Sequence, residues 1–370
     1  MTKPGKINIS EMKTFINKKV GLDVAHDLRE DNPTTVKEWI PTGSRWLDSI
    51  ICRGKMAGIP VGKIIELAGL SSAGKSFMAC QIAANAQKKG HVVVYFDAES
   101  AIDPAFLIKC GIDIEDNFIY IQAVSVEKTL ETIEDLMGRY PENKFFFIWD
   151  SIAATSSEKE LESDFNPQST MAVKPRVFSK AFPKLTIPLA NQQCTLLLIN
   201  QLKTNITSNV AEAMTTPYIA PGGKAIEYFC SLRIWLTKRK AKASYVTDST
   251  GLRIGSEVAC KIEKSRFGSE GRTCGFKILW GDDVGVQDEE SILEALKLSG
   301  SERVKFGSWN ILIDSKGKEH KFRQADWGKL MKENEDFRQA AYEIMDEEFI
   351  HKFDHEGKNV NIEIDLEQGD

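Results

Sequence analysis

No apolar run in this 370-residue chain approaches the roughly 18 residues that span a bilayer, so no membrane partner is expected. With 12 prolines and 26 glycines there is no biased tract of the kind that keeps a chain disordered or fibrous. No internal repeat is present. None of the seven cysteines (Cys52, Cys80, Cys110, Cys194, Cys230, Cys260, Cys274) belongs to a CxxC pair. Several sit in apolar strand-like runs and read as buried thiols rather than disulfides or zinc ligands. The opening Met1-Thr2-Lys3-Pro4-Gly5-Lys6 lacks the apolar core of an export signal, which predicts a cytoplasmic protein, in the host cytoplasm if the chain is of phage origin.

What is present is a soluble globular composition, 42% hydrophobic and 27% charged, at a length that predicts two or three compact units. The net charge of -5 is unevenly spread: Met331–Asp370 holds 13 acidic and 4 basic residues, which leaves residues 1–330 mildly basic. A basic body with an acidic tail fits a protein that meets a polyanion while the tail competes for the same surface; a solubilising tail is the alternative.

Apolar runs alternate with helical segments. Lys63–Ala68, His91–Phe96, Phe118–Gln122, Phe145–Trp149, Leu196–Ile199, Leu232–Thr237, Ala259–Ile262 and Gly275–Leu279 read as strands. Ser76–Lys88 reads as a helix. Helices between the early strands predict an α/β domain around a mostly parallel sheet, and the closely spaced later runs predict hairpins. The expected units are a polar helical segment over 1–40, a core over 41–285, a small α+β unit over 286–350 and an acidic tail over 351–370.

Gly69-Leu70-Ser71-Ser72-Ala73-Gly74-Lys75-Ser76 fits GxxxxGK[ST] between the first strand and the first helix, the setting a phosphate-binding loop needs. Backbone N–H groups from Gly69 to Phe77 can curl around phosphate oxygens, Lys75 can reach the β- and γ-phosphates, and the Ser76 hydroxyl can ligate Mg²⁺. ATP with Mg²⁺ is the expected ligand. Asp150 ends an apolar strand and suits the metal water shell, a turn residue being the bland alternative. Glu99, in Phe96-Asp97-Ala98-Glu99-Ser100-Ala101-Ile102-Asp103-Pro104, ends another strand where ligands gather and can polarise a water. It can equally be a cap partner or a surface charge. Gln201, after Ile199-Asn200, could sense the γ-phosphate.

These segments resemble the RecA family of recombinases: GLSSAGKS its phosphate loop, FDAESAIDP the segment with its catalytic glutamate, FFFIWDS its Mg²⁺ strand and LLLINQL its switch strand. The likeness runs from Thr42-Gly43-Ser44 to Gly281, more weakly to about residue 348. It is nearest to a phage UvsX-type strand-exchange protein, with motif wording in places closer to bacterial RecA. The resemblance implies a RecA-like P-loop ATPase core with Glu99 as general base, Asp150 on Mg²⁺ and Gln201 as sensor. Asp103 and Phe106 would hold the adenine, with Phe where Tyr is common. Lys264 and Arg266 would reach a neighbouring protomer's γ-phosphate, against the alternative of a solvated hairpin face.

The same resemblance implies a DNA-dependent ATPase that forms a helical filament on single-stranded DNA and pairs it with double-stranded DNA. Mediator and single-strand-binding proteins are further implied partners, and residues 7–39 would pack on the next protomer unless they cover their own domain. Two stretches, about 156–180 and 203–224, would be DNA loops, with Lys174, Arg176, Lys180, Lys203, Gly222, Gly223 and Lys224 on phosphates and Met171 and Ile206 as wedges between bases. Read without the family, both wedge candidates would be loop residues tucked on the core. Pro175 and Pro183 are expected to interrupt a helix starting near Arg176. Lys316, Lys318, Lys321 and Arg323 form a basic edge suited to duplex DNA or merely to water. Competing readings are a ring-shaped motor or branch-migration ATPase on the same core, and an ATP-switched scaffold without catalysis.

Overall fold

The computed structural model describes residues 8–21, 24–27, 35–51, 56–100, 102–163, 172–207, 216–237, 244–280 and 284–350. Six apolar strands lie parallel at its centre: β1 (Ile64–Gly69), β2 (Val92–Asp97), β3 (Phe118–Gln122), β4 (Phe145–Asp150), β5 (Thr195–Gln201) and β6 (Leu232–Thr237). Their spatial order is β6-β1-β5-β4-β2-β3. Beyond β6 the sheet continues antiparallel with β7 (Arg253–Ser265) and β8 (Thr273–Leu279), the hairpins that the later runs predict.

Phe146, Ile148, Leu197 and Ile199 face one core and Phe147, Trp149, Leu196 and Leu198 the other. Strands β4 and β5 are therefore apolar on both sides, as parallel strands covered on both faces must be. Helix α1 (Lys75–Lys88) covers the first face, and α2 (Val126–Arg139) and α3 (Val173–Gln192) the second. The carboxyl ends share one edge: Gly69 pairs with Gln201 and Asp97 with Asp150, while Trp149 pairs with Leu198, so β5 and β1 run slightly past β4 and β2. Among the described residues no helix is long and apolar enough to cross a membrane.

Helix α3 departs from the expectation that proline breaks it. Pro175 stands in the first turn, where an N–H has no intrahelical partner to lose. Pro183 and Pro188 lie on the exposed side, where water can take the carbonyls they leave. Two interior prolines cost about 3 kcal/mol each. Phe178, Phe182, Leu185 and Leu189 are buried along the opposite face, and at about 1.5–3 kcal/mol apiece they outweigh that cost. Lys174, Arg176 and Lys180 consequently stand on a helix rather than on a loop.

The polar helix Ile9–Val20 buries none of its residues; Ile9, Met12, Phe15 and Val20 are exposed. It does not cover its own domain. The C-terminal unit packs Phe322, Trp327 and Phe337 at ring separations of 5.2 to 5.3 Å. Arg45 ties it to the core: its backbone N–H donates to Asp288 at 2.7 Å, and its guanidinium pairs with Asp346 at 2.8 Å and lies over the Tyr342 ring. The acidic tail 351–370 lies outside the described residues.

Beside this junction Asp48 is buried and accepts from the Thr42 backbone N–H (3.0 Å) and hydroxyl (2.7 Å). Burial pushes its carboxyl up to about 7, and that of Asp288 up to about 6. Each therefore holds its proton better folded than unfolded. The stability this confers is complete below the ordinary carboxylate range near 3.8 and is lost as pH rises through about 6 to 7. Asp48→Asn, which keeps an acceptor for both Thr42 donors, should flatten the decline in melting temperature between pH 5 and pH 8. Circular dichroism melts checked at three pH values would show parallel declines in parent and variant if Asp48 were not responsible.

Candidate active site

The loop between β1 and α1 is fixed by close approach. The Leu70 N–H donates to the Leu236 carbonyl at 3.2 Å, and a Cβ on Gly69 would stand 2.7 Å from that same oxygen. Only glycine admits the contact. Ser72 (φ 56°) and Gly74 (φ 85°) take left-handed conformations within the turn through Ser71 and Ala73, and the Ala73 N–H closes it onto Leu70 at 3.2 Å. Lys75 is largely buried and its ammonium donates to the Leu70 carbonyl at 3.0 Å, so it is folded back over the loop it would share with phosphates. Phe77 is buried beneath and meets Phe106 edge-on at 6.1 Å. Asp103 caps the short helix Pro104–Lys109 by accepting from Ala105.

The Ser76 hydroxyl donates to Asp150 Oδ2 at 2.7 Å, and the Tyr95 hydroxyl reaches the same oxygen at 2.7 Å. Burial, then the neighbouring Glu99 and Asp97 charges, push the Asp150 carboxyl up, against the opposing bonds from Ser76 and Tyr95. A serine hydroxyl and a carboxylate side by side at the head of the phosphate loop are hard oxygen donors that fit Mg²⁺, which when bound would neutralise phosphate charge.

Glu99 Oε1 accepts from the Ser151 hydroxyl at 3.0 Å and from the Gln201 amide at 3.2 Å. The structure brings Glu99, Gln201 and Asp150, far apart in sequence, to the head of the loop that carries Lys75 and Ser76. Asp97 shapes the turn that presents Glu99 by accepting from the Glu99 and Ile102 N–H groups and from the Tyr120 hydroxyl. Ser151, Tyr95 and Asp97 are participants that sequence reasoning missed. For Tyr95 the available signal was a hydroxyl inside an otherwise apolar strand.

Lys264 and Arg266 are not part of this assembly. Lys264 pairs with Arg233, and Arg233 with Glu66; the phosphate loop begins beyond Gly69, roughly 10 Å further along β1 and two strands across. Both heads turn instead to α4 (Lys224–Phe229). Lys264 donates to the Glu227 and Tyr228 carbonyls and Arg266 to that of Tyr228 at 2.7 Å. Partial burial and the adjacent Arg266 charge push the Lys264 ammonium down. Arg266 is exposed and Lys264 half-buried, so the pair keeps contact with solvent while it holds these carbonyls.

Three of the DNA candidates, Lys174, Lys203 and Gly222, line a cavity of about 230 Å³ together with Phe178. Arg176, Lys180, Lys203 and Lys224 are exposed, whereas Lys174 lies 3.7 Å from Glu160. Ile206 is 96% exposed, so it is not tucked on the core; Met171 lies outside the described residues. The second stretch is not wholly aperiodic, since Lys203–Thr204 pairs antiparallel with Tyr218–Ile219. On the C-terminal edge Arg323 lies over Trp309, Lys318 pairs with Asp336 and Lys321 with Glu319. A larger cavity, about 810 Å³, lies between β7, β8 and the C-terminal unit beside Trp46, Cys274 and Trp327, apart from this chemistry.

The RecA N-terminal domain model matches residues 8–285. The chain is 32% identical over 322 residues to Protein RecA of Bifidobacterium breve, across 83% of this chain and 77% of that one. It is 33% identical to Protein RecA of Bifidobacterium longum over 83% and 76%, and 33% identical to that of Fusobacterium nucleatum over 81% and 74%. With the phosphate loop, the carboxylate pair and the parallel strands in the positions described, the chain belongs to the RecA family.

Proposed function

We propose that the chain is an ATP-dependent recombination protein that assembles as a filament on single-stranded DNA and pairs it with duplex DNA. The observation that carries this is the joint hold of Ser151 and Gln201 on Glu99 beside the phosphate loop. An exposed carboxylate so oriented can accept a proton from water as that water attacks the γ-phosphorus, the bond to the β-phosphate breaks and ADP leaves. Gln201 can give its amide to the γ-phosphate instead of to Glu99, so occupancy would be read as a changed hydrogen bond at the start of the second DNA stretch. The acidic stretch 331–370 supports the finer reading of a phage UvsX-type strand-exchange protein.

Lys264 and Arg266 support a site shared between protomers, since neither reaches its own phosphate loop. The exposed apolar side of Ile9–Val20 supports a head-to-tail contact with a neighbour, the kind of interface that propagates as a filament when it does not close.

Glu99→Gln should bind ATP like the parent and lose turnover by about 10²- to 10⁴-fold, while Lys75→Ala should lose both. A malachite green assay with saturating single-stranded DNA checks this; parental turnover in Glu99→Gln removes the base assignment.

Lys264→Ala and Glu99→Gln proteins, each nearly inactive alone, should recover part of the turnover when co-assembled. Some interfaces then join an intact Glu99 to an intact Lys264. Mixtures as inactive as their components would place Lys264 in a role within its own protomer.

Binding to single strands should weaken with salt at about -0.7 in logarithmic slope per phosphate contact. Arg176→Ala should make that slope shallower for every sequence alike, as fluorescence anisotropy on two unrelated oligonucleotides would register. An unchanged slope excludes a phosphate contact at Arg176.

A further inference from the structure

The fully buried Asn200 stands between two sites and belongs to neither. Its side-chain amide donates to Glu66 Oε1 at 2.8 Å and to the Pro221 carbonyl at 2.8 Å, while its oxygen accepts the Gln201 backbone N–H at 2.9 Å. Glu66, also fully buried, is held on its other oxygen by Arg233 at 2.6 Å. The ion pair is a fixed post in the core, because neither charge can leave without stranding the other. Pro221 precedes Gly222 (φ 107°) and Gly223 (φ 76°). There a Cβ would meet Ile226 at 2.1 Å and Pro175 at 3.0 Å, so this is the tight return of the second DNA stretch into α4.

From this geometry we infer that Asn200 is a positioning residue that couples the Gln201 side of the phosphate site to the Pro221 end of the second DNA stretch. One amide grips the return of that stretch while its own oxygen fixes the backbone of the residue that bonds Glu99. A displacement of the Pro221 carbonyl pulls on the donor and, through a side chain with no spare length, on the Gln201 N–H. Occupancy at one end is thus felt at the other, and reciprocally. Only asparagine meets the site: aspartate has no donor, alanine has neither group, and glutamine is too long for a carbonyl and a carboxylate both at 2.8 Å. The inference rests on the reading of Gln201 as a sensor.

The test is a paired exchange, Glu66→Gln with Asn200→Asp. The new amide at position 66 can donate to the new carboxylate at position 200 while its oxygen still receives Arg233. Net charge is kept, the carboxylate moves from position 66 to position 200, and the donor to Pro221 becomes an acceptor that faces its carbonyl. The readout is the ratio of single-stranded DNA affinities with and without a slowly hydrolysed ATP analogue, together with the affinity for a fluorescent ATP analogue and the melting temperature. Nucleotide affinity should stay within about twofold of the parent, while the nucleotide-dependent gain in DNA affinity should fall by about tenfold, within the usual range of coupling between sites. Asn200→Ala should show the same loss and serves if the exchange fails to fold. Gln201→Ala is measured alongside: if it keeps the gain, the sensor reading fails. If Gln201→Ala loses the gain and a folded Asn200 variant retains it, the role assigned to Asn200 is overturned.

Discussion

Fixed pairing of parallel strands is the constraint on which the site depends. In β1, β5, β4 and β2 every residue has a fixed partner, so Gly69 stands beside Gln201 and Asp97 beside Asp150. A slip of one residue would turn the side chains of a strand to its other face. Burial on both faces prevents it, since Phe147 and Trp149 fill one core while Phe146 and Ile148 fill the other. The precision of the Glu99, Ser151 and Gln201 contacts is inherited from apolar packing several residues away.

The same edge gathers negative charge. Asp97, Glu99 and Asp150 converge there, and the raised Asp150 carboxyl registers the mutual cost after the effect of its burial. A triphosphate adds to that charge, and Lys75 is already folded over the loop. Further positive charge at such an edge would favour the charge that develops on a transferring phosphoryl group. Lys264 and Arg266 are held at the far end of β6 and β7 on carbonyls of α4, the helix into which the second DNA stretch returns. A pair that left those carbonyls would free the C-terminal end of that helix.

Much of this was legible from sequence because each principal residue ends an apolar run. Glu99, Asp150 and Gln201 are polar residues placed at or just beyond the point where hydrophobic strands stop, and the motif between Gly69, which ends a fourth such strand, and Ser76 carries its own spacing. The helix Val173–Gln192 was less legible because proline is read locally, whereas its stability comes from four side chains packed on a sheet distant in sequence. The Lys203–Thr204 hairpin was too short to show a period. Ser151, Tyr95 and Asn200 gain their roles only through register: Tyr95 meets Asp150 from a neighbouring strand, and Asn200 meets Glu66 across β1 and β5.

Asn200 also shows why a buried polar group need not be a defect in an apolar core. The Glu66–Arg233 pair stands in β1 and β6, at neighbouring register positions, with its charges away from solvent. Replacing such a pair with hydrophobic side chains is often neutral or stabilising in other proteins. Stability alone therefore does not account for three polar side chains at the centre of the sheet. What the arrangement supplies is a rigid reference point from which one amide can reach a loop and the switch strand together. An apolar core would hold the strands as firmly and transmit nothing between them.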